Sequence, residues 1–105
     1  MIITTSDDVP GKQIVHTYGL VRGSTVRGKH LGKDILALFR NLVGGEINEY
    51  TKMLAESREQ ALDRMILDAQ RLGANAIVGV RFASSSIAAG AAEILVYGTA
   101  VKIDD

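Results

Sequence analysis

The sequence predicts an α+β fold in which a mainly antiparallel sheet packs against one long helix. The first observation behind it is an apolar stripe. From Glu46 to Leu72, Ile47, Tyr50, Leu54, Ala61, Met65, Ala69 and Leu72 recur at helical spacing, Leu62 and Ile66 widen the stripe, and Glu49, Lys52, Glu56, Glu59, Asp63 and Asp68 fill the rest. The second is Gly73, a residue type suited to the left-handed backbone that closes a helix. The third is a pair of β-prone segments on each side of that helix, in a chain of 105 residues that makes one domain, residues 1–105.

In chain order, Ile2-Ile3-Thr4-Thr5 is a short strand and the acidic Asp7-Asp8-Val9-Pro10-Gly11 a turn. Lys12 to Arg22 alternates, with Ile14, His16, Tyr18 and Leu20 on one side and Val15, Thr17, Gly19 and Val21 on the other, which predicts a second strand partly buried on both faces. Gly23, Gly28 and Gly32 then punctuate a basic connection carrying Arg22, Arg27, Lys29, His30 and Lys33. From Asp34, the spacing of Ile35, Leu36, Leu38, Phe39, Leu42 and Val43 predicts a short preceding helix that Gly44-Gly45 ends. Ser57-Arg58-Glu59-Gln60 matches a capping pattern, but the continuous stripe favours one helix of roughly 40 Å, more than a domain this small can cover alone.

A third strand, Ala76 to Phe82, sets Ala76, Val78, Val80 and Phe82 against Ile77, Gly79 and Arg81, and a fourth runs from Glu93 to Ile103. The small residues Ser84 to Ala92 predict a mobile hairpin connection between them. The stripe of Ile47, Leu54, Leu62, Met65, Ile66 and Ala69 should face the sheet or another subunit. Free sheet edges need protection, and the face carrying Val15, Val21, Ile77 and Leu95 needs cover; self-assembly meets both needs.

Composition narrows the partners. Twelve basic and twelve acidic residues cancel, so no global field draws the chain to nucleic acid or to an anionic membrane, and neither is expected as a partner. Without cysteine there is no disulfide, thiolate zinc site or cysteine nucleophile, which fits a bacterial-type cytoplasmic protein. Met1 to Asp8 shows no basic leader, so secretion is not expected. Apolar runs such as Ile87 to Ala92 fall far short of the roughly 20 residues of a membrane span.

Several segments carry a resemblance. Thr17 to Gly23, Gly44-Gly45-Glu46-Ile47 with Tyr50, Arg58 and Ala61, Gly73 to Arg81, and Tyr97-Gly98-Thr99-Ala100-Val101 together resemble the YbjQ-like family of small uncharacterised bacterial proteins. The resemblance implies a dodecin-like subunit assembling as a homopentameric ring, and it brings the label "putative heavy-metal-binding".

The residues themselves give that label little to work with. Transition metals recruit thiolate or imidazole, and the chain has two histidines. His16 reads as a core or interface histidine in an alternating strand. His30 stands four residues before Asp34, but Gly32 weakens a helix between them. Met53 and Met65 are helix residues, Met65 on the apolar stripe, where filling core gaps is their ordinary role. The sequence supports no metal site within one subunit and identifies no cofactor; a ring can still build a site from carboxylates or His30 of several copies.

Gly23 to Lys29 matches a phosphate-binding loop through its lysine, yet His30 stands where a magnesium-binding hydroxyl belongs. A flexible basic connection whose glycines allow tight turns is the better reading, and simple anion binding by Arg27, Lys29, His30 and the start of the Asp34 helix ranks above nucleotide hydrolysis there. Glu46 and Glu49 offset the dipole of the long helix, Tyr50 and Tyr97 are aromatic packing groups with a polar handle, and Arg58 suits a subunit-bridging ion pair or a ligand contact. The candidate ligand-binding residues are therefore Arg27, Lys29, His30, Asp34, Glu46, Tyr50 and Arg58, and no catalytic residue is assigned. The leading expectation is a non-enzymatic homo-oligomeric binding or assembly module with its site between subunits. A metal-binding protein and a small enzyme acting on an anionic ligand near residues 27–34 are the alternatives.

Overall fold

The apolar stripe forms one uninterrupted helix, α1 (Ile47–Leu72), and the strands around it are β1 (Ile2–Ile3), β2 (Ile14–Arg27), β3 (Ala76–Ala88) and β4 (Ala91–Ile103). The computed structural model describes residues 1–27, 47–88 and 91–104. The short helix expected from Asp34 lies outside the described residues. The four strands form one mixed sheet in the order β1-β3-β4-β2, with β1 parallel to β3 and the other two pairings antiparallel.

Ala61, Met65 and Ala69 are completely buried and pack with Val21, Ile77, Val80, Val96 and Ala100 of the sheet. Leu62 and Ile66 border this core half-buried, whereas Leu72, the last residue of the stripe, is 45% exposed. Gly73 closes the helix with φ +89°: its N–H donates to the Gln70 carbonyl at 3.0 Å, and that of Ala74 to the Ala69 carbonyl at 3.2 Å. These two bonds satisfy carbonyls that the helix leaves open, and buried Ala69 meets half-buried Ala74 beneath them.

α1 lies mainly on β2, running antiparallel to it. The Tyr18 hydroxyl donates to the Gly73 carbonyl at 3.4 Å, and the buried Thr25 hydroxyl to the Ser57 carbonyl at 2.7 Å. Between them β2 passes directly under the helix at Gly23, where a Cβ would stand 2.0 Å from the Ala61 carbonyl oxygen and 2.5 Å from the Met65 nitrogen. Gly23 is thus a strand residue selected for close approach, and not part of a connection. The Arg22 N–H donates to Asp68 Oδ2 at 3.3 Å, and Arg64 donates to the Ser24 carbonyl, so helix side chains occupy the outer edge of β2.

Four irregularities interrupt the strand pairing; the last lies between Ser86 and Ala88, and the other three reset the strand alternation. Register shifts at Val15 and Tyr18 each put an extra residue in β2 relative to β4, and a third puts Gly79-Val80 opposite Gly98. Gly79 adopts φ +62°, the conformation a bulge of this kind requires. As a result Val80 joins Ile77 under the helix instead of sharing a face with Val78, and Tyr18 joins Val21. The alternation read from Lys12 to Leu20 also fails in burial: Val15 is 59% exposed, Leu20 68%, and His16 is exposed with its ring edge-on to Tyr18 at 4.5 Å. His16 is therefore not a core histidine.

The opposite face holds a smaller cluster, Ala76, Val78, Val101 and Ile103, covered by Val9 and Ile14. Val9 comes from the predicted acidic turn, where Lys12 N–H donates to the Val9 carbonyl at 3.0 Å around Gly11 at φ +80°. Val21 and Ile77, expected on a face needing cover, are buried under the helix. The segment Ser84 to Ala92 is also not a loose connection: Ser84–Ala88 extends β3, and Ala91 and Ala92 begin β4.

Two substitutions probe this frame. Gly23→Ala should cost about 3 kcal/mol, because the methyl group meets helix backbone that cannot turn aside. Asn75→Ala should cost about 1–3 kcal/mol, since the Asn75 side chain donates to the Ile103 carbonyl at 2.9 Å and accepts from its N–H at 2.7 Å. Urea denaturation of each variant measures both losses.

Candidate functional site

Once the Gly79 bulge has shifted the phase of β3, three polar residues from three strands fall in one row. Tyr97 of β4 is paired with Arg22 of β2 on one side and with Arg81 of β3 on the other. Their chain neighbours Val21, Gly23, Val80, Val96 and Gly98 are buried, so all three project from the face opposite α1. Arg22 and Arg81 are exposed, and Tyr97 is 37% exposed. With strands about 4.8 Å apart, the two arginine backbones are held roughly 10 Å from each other across the tyrosine.

Arg81 is anchored. Its Nη1 donates to the Thr5 carbonyl at 2.9 Å and to the Val80 carbonyl at 2.8 Å. Nε and Nη2 remain for another acceptor. Among the described residues neither guanidinium has a carboxylate partner; Asp68 is engaged by the backbone N–H of Arg22. Glu93 shares this face but stands four residues from Tyr97 along β4, about 13 Å away at strand rise. Leu20, 68% exposed, stands two residues before Arg22 on the same face.

The residues expected to bind a ligand are placed differently. Arg27 ends β2 opposite Ala92, and Tyr50 lies in the first turn of α1; the antiparallel course of helix and strand directs both to the same end of the sheet. Arg58 is exposed midway along α1. Lys29, His30, Asp34 and Glu46 lie outside the described residues. No group of three or more His, Asp or Glu side chains able to hold a metal occurs among the described residues. Nor is any helix among them long and apolar enough to cross a membrane. Sequence reasoning passed over the Arg22-Tyr97-Arg81 row because the pairing depends on bulges; the signal within reach was two exposed-strand arginines and a tyrosine, each next to a glycine or valine of a buried face.

Comparison with known proteins places this chain in a family. A family model described as "Putative heavy-metal-binding", YbjQ, matches residues 1–104. A UPF0145 protein of Methanosarcina acetivorans is 59% identical over 103 residues, covering 98% of this chain and 97% of the relative. One from Clostridium perfringens is 57% identical over 105 residues, covering 100% and 99%. Among solved structures, a protein of unknown function from Pediococcus pentosaceus, of the DUF74 family, superimposes with TM-score 0.65 at 19% identity over 99% of this chain and 98% of that one, a likeness of fold.

Proposed function

This chain belongs to the YbjQ family, and we propose that it works as the subunit of a closed homo-oligomeric ring of five copies, a non-enzymatic binding or assembly module with its ligand site between subunits. The observation that carries this reading is the outer edge of β3. The N-terminal segment bonds to that edge only as far as Gly79 and Val80, through the Ser6 and Thr4 carbonyls at 2.8 and 3.1 Å. Beyond Arg81, Phe82–Ala88 pairs with β4 on one side and has no strand on its outer side among the described residues. An unpaired edge is a template for another chain, and this one carries no charged side chain to discourage pairing.

The shape of the subunit supports the same reading. The described residues extend 52 × 25 × 18 Å with a radius of gyration of 17.0 Å, whereas a compact chain of 100 residues has about 13 Å. Phe82 lies on the helix side of the sheet yet is 48% exposed, whereas Ile77 and Val80 before it on β3 are buried under α1, which packs mainly on β2 and β4. A ring closes when one surface meets a different one, so the β3 edge of each copy would join another region of its neighbour over more than about 1,000 Å². The family's metal description has no observation of its own among the described residues to set beside these.

Light scattering coupled to size exclusion at low concentration tests the reading. It predicts a particle of five 11.2 kDa subunits, and Phe82→Lys should lower that mass while the far-ultraviolet spectrum stays native. A stable monomer of the unaltered protein contradicts it.

A further inference from the structure

We propose that Arg22, Tyr97 and Arg81 form a binding site for a tetrahedral oxyanion of phosphate type, carried on the open face of a single subunit. The inference rests on the register within one chain and stands whether or not five copies form a ring.

Charge is the first argument. Two arginines rooted on either side of one tyrosine bring like charges to one face, and among the described residues no carboxylate neutralises either. A fold that needed only a solvated surface could place one arginine against a glutamate, as cross-strand pairs commonly do. Here the residue between the arginines is a phenol, whose hydroxyl can donate a hydrogen bond to an anion.

Geometry is the second. The arginines are rooted roughly 10 Å apart; the Arg22 side chain can turn its end over the intervening residue, while Arg81 is held by Nη1 at the outer side of β3 and presents its remaining edge. Arg81 is preorganised by its bonds to the Thr5 and Val80 carbonyls, which use Nη1 and leave Nε and Nη2 with three N–H donors. Arg22 has all five, since the bond at Asp68 comes from its backbone. Together with the Tyr97 hydroxyl they supply more donors than the two oxygens of a carboxylate can accept, and they match the oxygens of a phosphoryl dianion. Exposed Leu20 beside the row offers an apolar surface for whatever group the phosphoryl carries.

Isothermal titration of the full-length protein at low salt, with inorganic phosphate and separately with phenyl phosphate as probes, tests this. Saturable binding is expected, weakened about tenfold or more by Arg22→Gln and less by Tyr97→Phe. Arg71→Gln, which removes an exposed charge from the far end of α1, should leave it unchanged. Because Arg81 also ties down the N-terminal segment, Arg81→Lys, which keeps the charge and loses the fork, is used with a thermal melt; weaker binding with an unchanged melt supports the site. Tighter binding of phenyl phosphate marks an ester as the ligand, and equal binding marks the free anion. No saturable binding of either probe, or equal weakening by Arg22→Gln and Arg71→Gln, overturns the proposal.

Discussion

At Gly23 the backbone of β2 lies directly beneath that of α1, with no room for a methyl group between strand and the Ala61 carbonyl. The rest of the subunit depends on that approach. It brings small residues of the helix, Ala61 and Ala69, onto the sheet with Met65 between them, and it sets the helix close enough to β2 for Asp68 and Arg64 to occupy the strand's outer edge. One helix therefore does two tasks, burying the sheet face and capping an edge. The cost of this placement falls on the later part of β3: Ile77 and Val80 pack under the helix, Phe82 beyond them is 48% exposed, and the N-terminal segment bonds to the strand only to Val80. Among the described residues one edge is covered and one is open, an asymmetry that follows from where the helix sits.

The bulges matter in the same way. Each adds one residue, and one residue inverts every side chain beyond it. Without the shift at Gly79, Val80 would leave the core and Arg81 would turn toward the helix side, where Phe82 now stands. The open face would lose one of its two cations. A local backbone feature thus decides both the packing of the main core and the composition of the exposed surface.

This also explains what was legible in the sequence. Helix α1, its stop at Gly73, the Pro10-Gly11 turn and the four strands could be read because each is local, written in spacing or in one residue's conformational freedom. The faces of β2 and β3 could not, because alternation was extrapolated through Val15, Tyr18 and Gly79, and a bulge leaves no mark in hydropathy. Ser84–Ala88 looked like a connection since small polar residues resemble a loop, yet pairing with β4 holds them in a strand. The candidate site was the least legible. In sequence Arg22 belongs with the basic segment that follows it, while its neighbours in space, Tyr97 and Arg81, come from strands more than fifty residues on. Composition could place none of them together.

The central claim is that the open edge of β3 is completed by a second copy of the chain. Amide hydrogen exchange resolved to Phe82–Ala88 examines it directly. In the concentrated native protein, the amides of this segment that do not bond to β4 should exchange slowly, and dilution should release them while the amides of Ala61 to Ala69 stay protected. Exchange of those edge amides at the rate of an open chain, at every concentration, would contradict the account.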